Sequence, residues 1–209
     1  MRPCAKTPLI KIRRGFCARA HAHGHLNKIS NKKVRNVSFS KEDQFFMQQA
    51  LQEAQAAFVM GEVPIGAVLV QEGNILVKAH NLVETRRDAT AHAEMLCLQK
   101  ASQVLQNWRL LKTTLYSTLE PCSMCAGAML LARVERLIYA APDLRHGADG
   151  SWCSLLSQRH PTHRLAVERG LLAESSAELL RNFFMKKRKF GLEQELVECR
   201  HCNARLPKT

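Results

Sequence analysis

Two short clusters carry residues of the types that bind metals and move protons. The first is His92-x-Glu94, and the second, which starts 28 residues after Glu94, is Cys122-x-x-Cys125. Zinc takes nitrogen and thiolate ligands, and a catalytic zinc site uses three protein ligands and keeps the fourth position for water. One histidine and two cysteines meet this count. We therefore predict that His92, Cys122 and Cys125 bind one Zn²⁺ ion.

The chemistry that follows from this set is hydrolytic deamination. Zinc lowers the pKa of bound water towards neutrality and so generates hydroxide. Glu94, which is not counted as a ligand, is predicted to take a proton from that water and to pass it to a ring nitrogen and then to departing ammonia. The alternatives are a redox-active CxxC and a structural zinc, but a structural zinc has four protein ligands and no fourth is evident nearby.

The elements that must position these residues begin at Ser40. Ser40 and Asp43 have the spacing of a helix-capping box, and apolar residues recur on one face of the helix that follows. Strands are predicted at 65–70 and 75–79, which form a hairpin, and at 114–118 and 134–140. Helices are predicted at 92–105, 122–132 and roughly 174–189, so each cluster stands at a helix start. This alternation indicates an α/β domain.

Longer segments around both clusters resemble the bacterial tRNA-specific adenosine deaminases. His-x-Glu with Pro-Cys-x-x-Cys is the signature of zinc-dependent nucleobase deaminases. The segments similar to the tRNA-specific family lie within roughly residues 39–190: Glu62–Val68, Asn81, Asp88–Glu94, Asn107–Leu110, Thr118–Met129 and Gly147–Ser151. The resemblance implies a cytidine-deaminase-like fold, which is a three-layer α/β/α sandwich around a five-stranded mixed sheet. It also implies a homodimer with one Zn²⁺ per subunit, which converts adenosine at wobble position 34 of a tRNA anticodon stem-loop to inosine.

The resemblance assigns two further residues to the substrate. By position, Asn81 would hydrogen-bond the flipped nucleoside, and Asp143 would contact the neighbouring nucleotide or its ribose. Alternatively, Asn81 shapes the end of a strand and Asp143 caps the next turn. The chain departs from the family pattern at Asp149, in the middle of a Gly-Ala-x-Gly-Ser turn, and this departure is expected to place another carboxylate near the RNA contacts.

The final predicted helix carries aromatic and basic residues in its second half. Such residues suit the unstacked bases and the phosphates of an RNA loop. We predict contacts with RNA from Phe183, Phe184, Lys186 and Lys187. Alternatively, the phenylalanines form an aromatic stripe that faces the core, and the basic end of the helix is solvated. We expect both arrangements together, with at least one phenylalanine packed inward and the basic residues facing RNA or water.

Charge divides the chain into a domain and two tails. Ten of the 31 basic residues lie in residues 1–38, which contain no acidic residue, and the remainder carries 21 basic against 18 acidic residues. We predict a basic, disordered tail at 1–38, a zinc deaminase domain at 39–190 and a tail at 191–209. The last tail contains Cys199, His201 and Cys202, half of a metal-binding knuckle without a partner CxxC.

The sequence leaves more than one interpretation open for the location and for the function of the protein. No apolar run approaches the ~20 residues that cross a bilayer, and the first residues lack the apolar region of a secretory signal. We expect a cytoplasmic protein, or a plastid or mitochondrial one if residues 1–38 are a transit peptide. The function could also be deamination of guanine or another small purine, which leaves the basic final helix without a purpose. A non-catalytic tRNA-binding subunit is hard to reconcile with Glu94.

Overall fold

The computed structural model describes residues 38–158 and 160–202, with side chains described as far as residue 189. The predicted N-terminal tail lies outside the described residues apart from Ser38, and so does the stretch 203–209. The domain boundaries therefore stay predictions. The side chains of Cys199, His201 and Cys202 also lie outside the described ones, so a metal site there stays a possibility raised by the sequence alone.

Helices and strands alternate along the described part of the chain. Their bounds are α1 Lys41–Val59, β1 Gly66–Gln71, β2 Asn74–His80, α2 Val83–Arg86, α3 Ala93–Val104, β3 Thr113–Leu119, α4 Ser123–Ala132, β4 Arg136–Ala141, β5 Ala166–Arg169 and α5 Ala173–Cys202. Each predicted element is present, and α5 continues past its predicted end at residue 189. The four-residue elements α2 and β5 were not predicted, because so short a segment shows no periodicity. None of the helices described here is long and apolar enough to cross a membrane.

The five strands form one mixed sheet in the order β2-β1-β3-β4-β5. β1 is antiparallel to β2 and β3, while β3, β4 and β5 are parallel to one another. The β1–β2 hairpin turns at Glu72 and Gly73, whose φ angles of 50° and 76° are both positive. Two positive φ angles match the turn to the twist of the strands, and glycine adopts such an angle without strain. The mixed five-stranded sheet expected from the resemblance is confirmed.

Alternate residues of the strands supply two separate cores. Leu69, Leu115 and Leu137 belong to a cluster with apolar residues of α3 and α4. Their neighbours Val68, Tyr116 and Ile138 belong to a second cluster with Phe46, Met47 and Ala50 of α1. α5 packs against α1, β3 and β4. Because successive side chains of a strand point to opposite faces, this division gives the three-layer α/β/α arrangement.

The predicted capping box is present at the start of α1. The backbone N–H of Asp43 donates to Ser40 Oγ at 2.9 Å, and the Ser40 N–H donates to the Asp43 carboxylate at 3.1 Å. The same carboxylate accepts from the Tyr116 hydroxyl at 2.8 Å and from Arg136 Nη1 at 2.6 Å. Asp43 therefore ties the start of α1 to strands β3 and β4.

Candidate metal and catalytic site

Three potential ligand atoms converge at the N-terminal ends of α3 and α4. His92 Nδ1 lies 3.7 Å from Cys122 Sγ and 3.6 Å from Cys125 Sγ, and the two sulfur atoms are 3.7 Å apart. Zinc–sulfur bonds of about 2.3 Å and zinc–nitrogen bonds of about 2.0–2.1 Å at tetrahedral angles place sulfur atoms about 3.8 Å apart and nitrogen about 3.6 Å from sulfur. The three side chains therefore fit a tetrahedral zinc ion without rearrangement.

Local backbone structure explains this convergence. His92 and Cys122 are the N-cap residues of α3 and α4, both in extended conformation, and the buried Cys125 follows in the first turn of α4. The partial positive charge at a helix N-terminus favours ionised sulfur. The hydrogen bond with the Cys125 thiol, together with that to His92, lowers the pKa of Cys122 to about 3 despite its burial. The hydrogen bond with Cys122 raises the pKa of His92.

Glu94 lies in the first turn of α3 and is almost fully buried. The Ser117 hydroxyl of β3 donates to Glu94 Oε1 at 3.3 Å, and Oε2 has no hydrogen-bond partner among the described residues. Desolvation by burial raises the pKa of Glu94. A buried carboxylate oxygen without a partner is costly, and such groups are uncommon outside functional sites. Glu94 Oε2 is thus a buried acceptor whose hydrogen-bonding capacity is unused among the described residues, as a proton-transfer group requires.

Asn81 is held next to this cluster by a buried carboxylate. Its Nδ2 donates to Glu62 Oε2 at 3.0 Å, and Glu62 also accepts from the backbone N–H of Thr85 at 2.6 Å. Burial by itself would raise the pKa of Glu62, but hydrogen bonds from Thr85 and its neighbours lower it. An ionised carboxylate only accepts hydrogen bonds, so the amide nitrogen of Asn81 must face it. The adjacent Leu82 N–H donates to the carbonyl of Ala91, the residue before His92, at 3.0 Å.

A second buried carboxylate, Glu120, organises the loop at 142–151. It accepts from the backbone N–H groups of Asp143 at 3.0 Å and Asp149 at 2.8 Å, and from the Ser151 hydroxyl. Gly147 fits directly against this carboxyl group, because a Cβ there would lie 2.5 Å from Glu120 Oε1. The loop is therefore fixed to the residue that stands two positions before Cys122.

The carboxylate of Asp143 is occupied largely by its own loop. Oδ1 accepts from the backbone N–H of Arg145 at 2.9 Å and of His146 at 3.3 Å. This is the turn-capping arrangement that the sequence left open as an alternative. Asp143 still lies on the loop beside the metal ligands, and its contact with the substrate stays a prediction.

The carboxylate of Asp149, which the sequence places near the expected RNA contacts, is held by two side chains of the sheet. It accepts from the Tyr139 hydroxyl at 3.0 Å and from Arg169 Nη2 at 2.7 Å. Its side chain is 1% exposed. The physical reason is that Arg169 at the end of β5 neutralises the carboxylate and Tyr139 fills the remaining space. Asp149 therefore ties the loop to the sheet.

The aromatic residues of α5 have different surroundings. Phe183 is buried against Phe58 of α1, with ring centroids 5.7 Å apart, whereas Phe184 is nearly half exposed. Lys186 Nζ lies 5.6 Å from the Phe58 ring centroid and Lys187 Nζ lies 5.7 Å from that of Phe183. Phe183 thus packs inward, as expected for at least one of the two phenylalanines, and its contact with RNA stays a prediction.

The sequence indicated no role for three residues that shape the site: Ser117, Glu62 and Glu120. Ser117 lies in a strand that also contains Thr113, Thr114 and Thr118, so its hydroxyl does not stand out in the sequence. Glu62 and Glu120 each lie close before a proline in a mostly apolar segment. Acidic residues in such segments are expected to be buried only when they are paired or hydrogen-bonded. Their partners could not be identified without the fold.

Comparison with known proteins places the chain among deaminases. The family model of MafB19-like deaminases matches residues 41–188. The tRNA-specific adenosine deaminase of Bacillus subtilis is 46% identical over 159 residues, which cover 75% of this chain and 99% of the relative. The tRNA(adenine(34)) deaminase of Arabidopsis thaliana, named chloroplastic, is 47% identical over 158 residues. That match covers 68% of this chain, and the chain spans 12% of the length of the Arabidopsis protein.

A solved structure adds a match in three dimensions. It comes from a study of A-to-I editing by tRNA:A34 deaminases at the wobble position of transfer RNA. The two chains are 43% identical and superpose with a TM-score of 0.63, over 65% of this chain and 99% of the other.

Proposed function

The chain belongs to the family of tRNA-specific adenosine deaminases, and we propose that it converts adenosine to inosine by hydrolysis at wobble position 34 of a tRNA. One observation carries this proposal. The triangle of His92, Cys122 and Cys125 has the spacing of an open tetrahedral metal site, and the unpartnered Oε2 of buried Glu94 lies two residues along the same helix end. Hydrolytic deamination requires this combination of a metal site and a proton carrier.

Zinc is the metal that suits this donor set. A nitrogen and two thiolates are typical of catalytic zinc, and the two thiolate charges balance the charge of Zn²⁺. We propose one ion per subunit, held by His92 Nδ1, Cys122 Sγ and Cys125 Sγ. When bound, such an ion lowers the pKa of water in its fourth position and makes a nucleophile available near neutral pH.

Glu94 is proposed to carry the protons of the reaction. Its Oε2 takes a proton from the water that adds at C6 of the adenine ring and delivers it to the adjacent ring nitrogen. It then takes the proton of the new C6 hydroxyl group and passes it to the amino group, so that ammonia leaves and C6 becomes a carbonyl. The balance is one water consumed and one ammonia released for each inosine formed. Ser117 keeps Oε1 in place, so that Oε2 remains the oxygen directed at the reacting atoms.

Asn81 and Asp143 are proposed to hold the nucleotide. Since Asn81 Nδ2 donates to Glu62, its carbonyl oxygen is the atom left for a donor on the nucleoside. Asp143 is positioned by Glu120, and its Oδ2 accepts from no backbone N–H of the loop and lies 3.6 Å from His146 Nδ1. Bases of an anticodon loop are unpaired, so turning one of them into the site costs little stacking.

The half-exposed Phe184 and the lysines at 186 and 187 are proposed to contact the anticodon stem-loop. The lysine side chains extend along the rings of Phe58 and Phe183, so their ammonium groups are held at the protein surface near α1. Cations in this arrangement suit phosphates, and an exposed aromatic ring suits an unstacked base. A basic helix of this kind has no use in a deaminase of free purines.

We also propose that the protein is a homodimer. A groove of about 390 Å³ lies between the outer faces of α3 and α4 and is lined by Leu98, Trp108, Ala128 and Leu131, among others. Leu131 is 65% exposed, and large exposed apolar side chains clustered in this way favour association. A second copy of this chain would cover both grooves through a symmetric contact. A Leu131→Asp variant that stays as associated as wild type in light scattering would contradict this assignment.

The cytoplasm or a plastid is proposed as the compartment. The bacterial relative supports the first location and the relative named chloroplastic supports the second. The excess of basic residues at 1–38 is the feature that an organelle-targeting segment would need. Attaching these residues to a fluorescent protein and following its import into isolated plastids and mitochondria separates the alternatives.

The proposed substrate is tested by three parallel incubations with zinc-loaded protein. The substrates are a tRNA anticodon stem-loop with adenosine at position 34, free adenosine, and free guanine. We expect inosine in the stem-loop and no measurable ammonia from the two small molecules. Release of ammonia from guanine without inosine in the stem-loop would support a small-purine deaminase instead. Binding of the stem-loop without any ammonia would support a non-catalytic subunit.

A further inference from the structure

The segment that leads into His92 is a series of tight turns built on Asp88. Oδ1 of Asp88 accepts from the backbone N–H of Thr90 at 2.8 Å and from the Thr90 hydroxyl at 2.7 Å. The Asp88 carbonyl accepts from the N–H of Ala91 at 3.0 Å, which closes a four-residue β-turn. The Thr90 carbonyl then accepts from the His92 N–H at 2.8 Å. Three successive N–H groups, those of residues 90–92, are thus bonded within the turns.

These turns set the direction in which His92 enters the metal-binding cluster. His92 is the N-cap residue of α3, but its side chain makes no capping hydrogen bond. A capping side chain would normally help to fix the backbone at this position. The imidazole ring of His92 lies instead beside the sulfur atoms of Cys122 and Cys125. The extended backbone of His92 must therefore be fixed by the residues that precede it.

Packing in the interior cannot supply this support, because Asp88, Ala89 and Thr90 are all exposed. Aspartate favours the first position of such a turn, since its carboxylate bonds the backbone two residues further on. Ala89 occupies the second position, where proline is favoured because its ring presets φ. The N–H of Ala89 donates to no acceptor among the residues that the structure describes. The turn therefore depends on the Asp88 side chain and has room for a stiffer residue at 89.

We propose that Asp88 is a positioning residue for the metal, and that its turn holds His92 in the metal-binding conformation before the ion arrives. This inference rests on the proposed zinc site and adds to it a determinant of affinity outside the ligands. A ligand that is already in its bound conformation loses little freedom on binding. Partners that orient metal ligands contribute about tenfold to a hundredfold in metal affinity. Asp88 acts through the backbone rather than on the ring, so we expect the lower value, about tenfold.

The test is the zinc affinity of the full-length protein. Zinc-loaded variants are equilibrated with a chromogenic chelator of known affinity, and the division of zinc between protein and chelator is measured. Asp88→Ala should bind zinc about tenfold more weakly than wild type. Asp88→Asn should stay within about threefold of wild type, because its amide oxygen can accept the same two hydrogen bonds. Ala89→Pro should strengthen binding about threefold by restricting the turn. Wild-type affinity in either Asp88→Ala or Ala89→Pro would overturn the proposal.

Asn107 provides a matched control. Its Oδ1 accepts from the Arg109 N–H at 3.0 Å, which is the same two-residue spacing in another exposed turn. This turn follows the far end of α3, a helix of 12 residues and thus about 18 Å long. Asn107→Ala should leave the zinc affinity within twofold of wild type. A loss as large as that in Asp88→Ala would show a general loosening of the protein and would overturn the proposal.

The wild-type protein separates failure of this inference from failure of the proposed function. Its zinc content and its inosine formation on the anticodon stem-loop are measured alongside the variants. If the wild type binds one zinc and forms inosine while Asp88→Ala matches its zinc affinity, this inference alone is refuted. If the wild type binds no zinc, the proposed function fails with it.

Discussion

A single methyl group added at Gly147 should disconnect the loop at 142–151 from Glu120 at the end of β3. The new Cβ would lie 2.5 Å from Glu120 Oε1 and closer still to the other two atoms of that carboxyl group. Ordinary contact needs about 3.5 Å, so the carboxylate must move by about 1 Å. It would then leave the backbone N–H groups of Asp143 and Asp149 and the Ser151 hydroxyl. Gly147 does not have a positive φ, so the effect is a matter of space rather than backbone strain.

The size of the effect follows from these contacts. Overpacking a filled interior costs about 1–3 kcal/mol, and each hydrogen bond to a charged group contributes about 1.5–3 kcal/mol. Because the carboxylate can recover part of its bonding after moving, we expect Gly147→Ala to lower the free energy of unfolding by about 3 kcal/mol. Deamination of the stem-loop should fall at least tenfold in kcat/KM, since Asp143 moves with the loop. Urea unfolding and initial rates of inosine formation measure the two effects.

Gly127 offers a matched control. It lies in α4, and a Cβ there would meet nothing within 4 Å. Gly127→Ala should therefore raise the free energy of unfolding by about 0.5–1 kcal/mol, as expected for replacing an unconstrained helical glycine. Shortening the facing acid with Glu120→Asp in the Gly147→Ala variant should recover part of the loss. If Gly147→Ala matched Gly127→Ala in stability and activity, the assigned role of the Glu120 carboxylate would be wrong.

Three further predictions concern other parts of the protein. Burial favours a high pKa for Asp43, but hydrogen bonds from Arg136 and Tyr116 lower it to about 2, below its unfolded value. The stabilisation by Asp43 is present above about pH 4 and is lost as the pH falls through 2. Between pH 5 and pH 2 the unfolding free energy of the wild type should therefore fall by about 2 kcal/mol more than that of Asp43→Asn. Equal losses in the two proteins would contradict this prediction. Glu62→Gln should raise KM for the stem-loop, because the Asn81 amide is free to reverse, and an unchanged KM in stem-loop kinetics would argue against that role. Removing metal with a strong chelator should abolish inosine formation and added Zn²⁺ should restore it, whereas full activity in protein shown to be metal-free would exclude the proposed metal.

Residues whose role depends on their spacing in the local sequence could be predicted from the sequence alone. His92 and Cys122 mark the two helix starts, and Cys125 follows one turn later, so the ligand set and its helical setting could be predicted together. The capping box at the start of α1 is also a pattern of close neighbours in sequence. Each of these features depends on backbone geometry over a few residues, and such geometry is largely a property of the local sequence.

Features that depend on distant partners could not be predicted. Glu120 meets the loop 23 to 31 residues further along the chain, and Asp149 meets Arg169 on the short strand β5. The sequence therefore indicated a carboxylate at Asp149 but not the ion pair with Arg169 that holds it. Likewise, the rotation of α5 about its axis decides that Phe183 is buried and Phe184 exposed. That rotation is set by packing against α1 rather than by the helix itself.

Deamination of adenosine 34 at this site, with Glu94 moving the protons, is the function that we propose. The most direct measurement compares wild-type protein with Glu94→Gln, matched for zinc content, on a tRNA with adenosine at position 34, with inosine mapped to single-nucleotide resolution. We expect inosine at position 34 and one ammonia per inosine from the wild type, and neither product from Glu94→Gln. Inosine formed by Glu94→Gln at the wild-type rate, or no inosine from zinc-loaded wild type, would contradict it.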